Sequence, residues 1–279
     1  MNDNNKSLVG MGLFATIITG FIALMISAKT EDDALKNRHI EVSHTYKSAL
    51  DKQMKAQAMH SNGVVWKDAT RKQIDTYMNI DKLKEDKAQR YQFLNLGKTQ
   101  KIHPATLNKL LKGKGILNNQ GTSFARASRL HDVNEIYLIN HALLETGKGK
   151  SKLAKGVAVD AKGRVGKGDK KYYNFFGIGA YDHDPVNEAA KYAYRHGWDT
   201  PEKAIVGGAK FIKTEFLNDE SQATLYGMRF NPVNPGRHQY ATDVRWAHHN
   251  ARSIAADYKK LKLKGKYFTT YTYKIEGET

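Results

Sequence analysis

The sequence predicts an α+β chain, mainly α: a helical domain that carries a small β-hairpin lobe, set behind an N-terminal transmembrane helix. Three observations predict it. Leu8 to Ala28 reads LVGMGLFATIITGFIALMISA, 21 residues without a charge. From Asp68 to Leu261 apolar residues recur at three- and four-residue steps in one segment after another, the mark of amphipathic helices. The glycine-rich stretch Gly147 to Gly179 interrupts that rhythm. It holds an alternating Val157-Ala158-Val159 and a turn-like Lys162-Gly163-Arg164, which read as a hairpin inserted between helices.

Composition narrows the partners. The 279 residues include 45 Lys plus Arg against 28 Asp plus Glu, a formal charge of +17, with 40% hydrophobic residues and no cysteine. The hydrophobic share sustains a core and excludes wholesale disorder. The lack of cysteine excludes a disulfide framework, a Cys-ligated zinc and a thiol nucleophile. The positive excess calls for an anionic partner: nucleic acid, a membrane surface or an acidic wall polymer.

The apolar run chooses among these. At 1.5 Å per residue it is long enough to cross a hydrocarbon core of ~30 Å. Lys6 precedes it, and Lys29, Glu31, Asp32 and Asp33 follow, so the short tail favours N-inside, C-outside. A cleaved signal peptide is the rival, but the run exceeds the ~7–15 apolar residues of such a segment and Ile26 is bulky for a cleavage site. A single-pass anchor in the cell membrane then places the rest of the chain outside the cytoplasm. Nucleic acid is not expected as a partner there, and anionic wall polymers are. Gly12, Thr16 and Gly20, continued by Ala23 and Ser27, make a small-residue face on which a membrane-embedded partner could pack, although such residues are common in membrane helices.

The chain divides accordingly: residues 1–7 a cytoplasmic tail, 8–28 the anchor, 29–63 a helical stalk or linker, 64–265 a globular domain and 266–279 an extended tail. Val42, Tyr46, Ala49 and Leu50 follow helical steps up to Ser61-Asn62-Gly63, and some 30 helical residues would span roughly 45 Å. That segment reads equally as a stalk and as a helix packed on the domain. Helices are predicted over Asp68–Asn79, Lys84–Leu96, Pro104–Lys112 and Thr122–His131, with Pro104 in a first turn and Thr122 or Ser123 as a cap. Further helices follow over Pro185–His196, Pro201–Leu217 and Thr242–Leu261, and Tyr267–Ile275 is strand-like.

Asn134 to Gly147, NEIYLINHALLETG, is the segment that carries chemistry. Asn134 suits the cap and Gly147 the C′ position. Ile136, Leu138, Ile139, Ala142, Leu143 and Leu144 cover most of the circumference, so the helix reads as buried. Glu145 ends it. Burial and the negative end of the helix dipole both oppose ionisation there. A carboxyl that keeps its proton near neutral pH is what a glycosidase uses on a leaving oxygen. A buried Glu satisfied by a lysine or by backbone donors is the plain alternative. Glu135, in the first turn, reads as a capping or surface group.

ALLETG, the run YYNFFGIGAYD and then HQYATDVRWA together resemble the glycoside hydrolase family 73 endo-β-N-acetylglucosaminidases. The intervening KAIVGGAKFI and TLYGMRFNPVNPG are similar to the glucosaminidase domains of Gram-positive, especially staphylococcal, autolysins. The likeness covers about Arg90 to Lys260. It implies a lysozyme-like fold of a helical lobe and a small β-lobe with a glycan groove between them, which agrees with the helix–hairpin–helix pattern. A single anchor without wall-binding repeats resembles the short membrane-attached members.

The resemblance implies roles for particular residues. Glu145 matches the catalytic acid, and Tyr240 the tyrosine across the groove, which could hydrogen-bond an acetamido group or orient water. Tyr172, Tyr173, Asn174, Phe175, Phe176 and Gly177 match the groove segment, where aromatics pack on sugar faces, some of them necessarily in the core, and an amide could hold the N-acetyl group. If that segment is extended, only one of Phe175 and Phe176 faces the groove. Trp246 is a further groove candidate. Asp182, 37 residues after Glu145, stands near a second acid of some relatives, with Asp160, Asp169 and Asp184 as competitors; Asp184 before Pro185 reads better as a cap. If none of them lies within ~6.5–9.5 Å of Glu145, the substrate's own acetamido oxygen takes the nucleophile's part.

His183, His248 and His249 lack metal-ligand spacing, so neither a metal nor a cofactor is expected. Lysines 148, 150, 152 and 155 serve solubility or attract anionic wall polymers. The expected activity is cleavage of the β-1,4 bond after N-acetylglucosamine in peptidoglycan strands, trimming them near the membrane. A lytic transglycosylase, which also works with one Glu, and a non-catalytic glycan-binding subunit are the alternatives.

Overall fold

The structure, a computed structural model, describes residues 37–61, 63–180 and 183–277. The predicted anchor at 8–28, its Gly12, Thr16 and Gly20 face, and Asp182 lie outside the described residues. Among the described residues no helix is long and apolar enough to cross a membrane. The chain divides into Met1–Arg38 and a compact unit, His39–Thr279, and the architecture below is that of the second unit.

A strand opens the described chain, β1 (Asn37–Thr45), and Thr45 caps the helix that follows, α1 (Tyr46–Lys55), by accepting from the Ser48 N–H. A hairpin of β2 (Met59–Ser61) and β3 (Trp66–Asp68) pairs Met59 with Asp68 in antiparallel register. Helix α2 (Arg71–Met78) begins with a capping box between Thr70 and Gln73, and α3 (Ile80–Glu85) is capped by Asn79. A 3-10 turn, Gln89–Phe93, follows. The helical lobe then runs through α4 (Pro104–Leu111), α5 (Gly121–His131) and α6 (Glu135–Glu145).

The inserted lobe is small. Its strands β4 (Val157–Ala158) and β5 (Lys171–Tyr172) are two residues each, joined antiparallel, with a further bridge between Val159 and Val165. Helices resume at α7 (Pro185–Arg195) and α8 (Pro201–Ile212), the latter running into a π-turn, Lys213–Leu217. Last come α9 (Leu225–Phe230), α10 (Trp246–Lys260) and β6 (Phe268–Lys274), which pairs with β1.

Two hydrophobic cores hold the unit. The larger gathers Leu107, Phe124, Ile136, Ile139, Phe175, Ile205 and Ile254 around α6 and joins the helical lobe to the β-lobe. The second gathers Val42, Leu50, Ile74, Met78, Phe93, Tyr226, Phe230 and Tyr271. It bears on two expectations. Of the stalk and the packed helix offered for 29–63, the described residues 39–61 are no stalk: a strand and a ten-residue helix pack on the domain. Residues 268–274 form the strand expected there, but within the domain rather than beyond it, because Tyr271 is buried in the same core and its hydroxyl donates to the Ser221 carbonyl. The predicted helix over Lys84–Leu96 is also broken. The Asp86 carboxylate accepts from the N–H groups of Ala88 and Gln89, and that local bonding competes with the helix ladder. Neither Thr122 nor Ser123 caps α5; Gln120 stands at that position without a side-chain bond to the backbone.

Candidate active site

The site begins at the end of α6. The Asn134 side chain accepts from the Tyr137 N–H and fixes the start of the helix. Glu135, expected as a capping or surface group, is buried: its carboxylate accepts from the Thr99 hydroxyl and from the N–H groups of Gln100 and Ile102 at 2.9–3.1 Å. At the other end Thr146 is buried, donates to the Ala142 carbonyl and accepts from the Gly149 N–H. It thereby fixes both the last turn and the exit into the β-lobe.

Glu145, the final residue of α6, is less enclosed than the helix pattern suggests. Its side chain is 38% exposed, and neighbouring Leu144 is exposed as well. The carboxyl is still pushed above its ordinary 4.5 by burial on its inner side. No basic residue stands in the last turn of α6 to offset the dipole.

Three elements converge on this carboxyl. The first is α6 itself. His141, one turn earlier, places Nε2 3.9 Å from Glu145 Oε1, and its ring is almost wholly buried. The second is the loop after β5. Gly177 adopts φ +64°, and a Cβ there would lie 3.1 Å from Glu145 Oε2, so bare backbone passes directly over the acid. The third is the segment before α10, which presents Tyr240. Its hydroxyl is 3.4 Å from His141 Nε2, and its ring lies 4.8 Å from Trp246 and 5.0 Å from Phe216. Burial, with the nearby Glu145 charge second, pushes the Tyr240 hydroxyl up to about 12, so it stays protonated at working pH.

A buried arginine pins the Tyr240 segment. Arg229 is fully enclosed and donates from Nε to the Asp243 carbonyl and from Nη2 to the Thr242 carbonyl, both at 2.8 Å. The Tyr240 N–H donates to the Met228 carbonyl, and the Gln222 amide to the His238 carbonyl. Tyr240 is thus hung from α9, whose residues sequence reasoning missed because a six-residue helix buried on all sides carries no amphipathic signal.

The predicted site residues separate. Glu145, Gly177, Tyr240 and Trp246 come together. Asn174, Phe175 and Phe176 do not line the groove with their side chains, and this corrects the expectation. Asn174 is buried; its amide donates to the carbonyls of Ile178 and Ala189, and its oxygen accepts from the N–H groups of Phe176 and Ile178. The segment is therefore a turn tied by Asn174, not an extended strand, and the alternation rule has no hold on it. Phe175 is in the core, and Phe176 sits edge-on to His141 at 5.5 Å and against Gly208. Tyr173 is half-buried over Gly156 and stacks on Phe175.

Of the carboxylates competing with Asp182, Asp160 closes its own turn by accepting from Lys162 and Arg164. Asp184 accepts from the Asn187 amide and makes no cap to the backbone. Among the described residues no group of three or more His, Asp or Glu could hold a metal ion. A separate cleft of about 760 Å³ runs along α8, lined by Tyr192, Trp198, Val206 and Phe211; Glu145 is not in its wall. His141 is the functional neighbour that sequence reasoning overlooked. Its spacing of four from Glu145 on one helix was the available signal.

Comparison with known proteins places this geometry. Residues 121–260 match the glucosaminidase family, described as mannosyl-glycoprotein endo-beta-N-acetylglucosaminidase. The chain is 50% identical over 209 residues to the bifunctional autolysin of Staphylococcus aureus; the match covers 75% of this chain and 17% of that protein. Among solved structures, S. aureus glucosaminidase B superposes with a TM-score of 0.75 at 45% identity, covering 85% of this chain and 94% of the other. S. aureus autolysin E, solved in complex with the muropeptide NAM-L-Ala-D-iGlu, gives 0.66 at 38% identity over 84% of this chain and 98% of the other. The acid at a helix end, the tyrosine facing it and these matches lead to one assignment: the chain belongs to the glycoside hydrolase family 73 endo-β-N-acetylglucosaminidases.

Proposed function

We propose that this chain cleaves the β-1,4 bond after N-acetylglucosamine in peptidoglycan, with Glu145 as the general acid and then the base, and that residues 8–28 hold it at the membrane with the catalytic domain outside the cell. One observation carries the catalytic part. A carboxyl whose pKa is raised by burial, yet open to solvent on one side, stands under the Gly177 backbone and near a protonated phenol. The S. aureus autolysin E structures support the substrate class, since one holds a muropeptide and another, of a catalytic glutamate mutant, the disaccharide NAG-NAM.

The chemistry follows from these groups. Protonated Glu145 gives its proton to the glycosidic oxygen as the C–O bond breaks. The acetamido oxygen of the same sugar attacks the anomeric carbon and forms an oxazolinium ring. Water then opens that ring while the Glu145 carboxylate takes its proton, which restores the acid. Burial raises the Glu145 carboxyl above its ordinary value, which suits the acid's part in this scheme. Trp246, beside Tyr240, offers an apolar face to a sugar ring. The exposed lysines 148, 150, 152 and 155 follow the acid directly and draw anionic wall polymers toward it.

Mass spectrometry of digested peptidoglycan tests the reading. New ends that are reducing N-acetylglucosamine, absent with Glu145→Gln, are expected. Anhydro ends identify a transglycosylase instead, and digestion undiminished in the Gln variant overturns the role of Glu145. For the anchor, release of the domain from residues 8–28 should change the length distribution of cellular glycan strands; unchanged lengths refute that part.

A further inference from the structure

His141 is enclosed by three rings and touches both reactive groups of the site. Tyr137 lies 5.7 Å away on its own helix, Phe176 5.5 Å away on the Gly177 loop, and Tyr240 6.2 Å away on the segment before α10. The titratable groups facing it are Tyr137 and Glu145 from α6 and Tyr240 from the segment before α10; the Phe176 side contributes none. Burial lowers the imidazole to about 4, so the ring is neutral at working pH and carries one proton.

Which nitrogen holds that proton follows from the surroundings. Nδ1 is buried and has no hydrogen-bond partner among the described residues. Nε2 faces the Tyr240 hydroxyl at 3.4 Å and Glu145 Oε1 at 3.9 Å. A proton on Nδ1 would leave a buried N–H with no acceptor, the rarer and costlier orphan in folded proteins. A proton on Nε2 leaves only a lone pair unmet.

The consequence lies at Tyr240. A hydroxyl that accepts from Nε2–H cannot give its own proton back to that nitrogen, so the proton must point elsewhere. The ring packs against Phe216 and Trp246, and the solvent-open part of the site lies at the Glu145 carboxyl, 38% exposed, where a sugar would stand. We propose that His141 is a positioning residue: as the Nε2–H tautomer it donates to the Tyr240 oxygen and thereby turns the Tyr240 O–H into the groove, as a donor to the acetamido carbonyl of the bound sugar. This deepens the reading of Glu145 as the acid and rests on it; the protonation site of the ring does not.

Two measurements test it. Long-range ¹⁵N–¹H correlation spectra of the histidine-labelled full chain, with His141 assigned by its loss in His141→Gln, should show the Nε2–H tautomer from pH 6 to 8. An Nδ1–H tautomer overturns the proposal whatever the enzyme does. In kinetics, His141→Phe keeps the ring packing and removes the donor. Its kcat should fall about 10²-fold with little change in KM. His141→Gln, which restores an N–H donor, should recover most of that loss. His141→Phe combined with Tyr240→Phe should be no slower than Tyr240→Phe alone, since both act through one hydroxyl. A fully active His141→Phe, Phe and Gln variants equally impaired at unchanged melting temperature, or additive losses in the double variant each refute it. A wild-type chain that shows the Nε2–H signal but never cleaves glycan sinks the proposed activity and leaves the tautomer standing.

Discussion

Replacing Gly177 with alanine puts a methyl group where bare backbone now passes over the acid. Two costs follow, and they can be separated. The first is conformational. Gly177 sits at φ +64°, where an L-residue pays about 1–2 kcal/mol. The second is the contact. The new Cβ would lie 3.1 Å from Glu145 Oε2, short enough that the carboxyl must give way by a few tenths of an ångström. Gly166 supplies the control. It has φ +78° in the same lobe, and a Cβ there meets nothing within 4 Å. Gly166→Ala therefore carries the first cost alone. In thermal melting both variants should lose stability by similar amounts, at about 2–4 °C per kcal/mol for a domain of this size. In glycan hydrolysis they should part. Displacement of a positioned catalytic group lowers kcat in Gly177→Ala by about tenfold or more, whereas Gly166→Ala stays near wild type. Equal activities in the two variants, or a loss in Gly166→Ala as large as in Gly177→Ala, would refute the idea that the loop backbone sets the place of the acid.

Three further outcomes are expected. Glu135→Ala strands a hydroxyl and two backbone N–H groups in the core, so urea unfolding should show a loss of about 3 kcal/mol or more, with no special effect on the rate of whatever remains folded. Arg229→Met removes one of the two donors to each of the Thr242 and Asp243 carbonyls; it should destabilise the chain and lower activity together, because the same bonds hold the Tyr240 segment in place. Glu145→Gln should be more stable than wild type at pH 7. The folded-state pKa of Glu145 is raised, so its ionisation costs the folded form above that pKa, and the difference should close as pH is brought below the ordinary value of 4.5, where both states are protonated. Melting curves across pH check the sign.

The parts of the fold that could be read from sequence are those with local causes. Pro104 at the head of α4 and Asn134 capping α6 each declare themselves within one turn of chain. The β1–β6 pair does not. The His39 ring and the Thr270 hydroxyl that meet across it are 231 positions apart, and a strand whose apolar residues are only Ile40 and Val42 gives little sign of so distant a partner. The helical steps at Tyr46, Ala49 and Leu50 were sound, but they belong to α1 and do not reach back through Val42, which alternates in a strand. The aromatic run after β5 misled for a different reason. Tyr, Phe and Asn are residue types that bind sugars, yet Asn174 here uses its polar atoms on its own loop and on the Ala189 carbonyl of α7, and composition cannot show how an amide is used.

Glu145 was found for a reason that the structure modifies. A helix apolar around most of its circumference would close its last residue off from a polysaccharide. Instead one side of the carboxyl is open and the other meets a backbone, a neutral imidazole and a protonated phenol, none of which is a cation. The acid is therefore only partly desolvated in the free chain. A sugar entering the groove must cover the open side and remove the water that now stabilises the carboxylate, which raises the pKa further at the moment a proton is needed. An acid built this way pays little for burial while the groove is empty. It also explains why the loop over it is glycine: a side chain at 177 would close from the protein's side the space that the substrate has to close from the other.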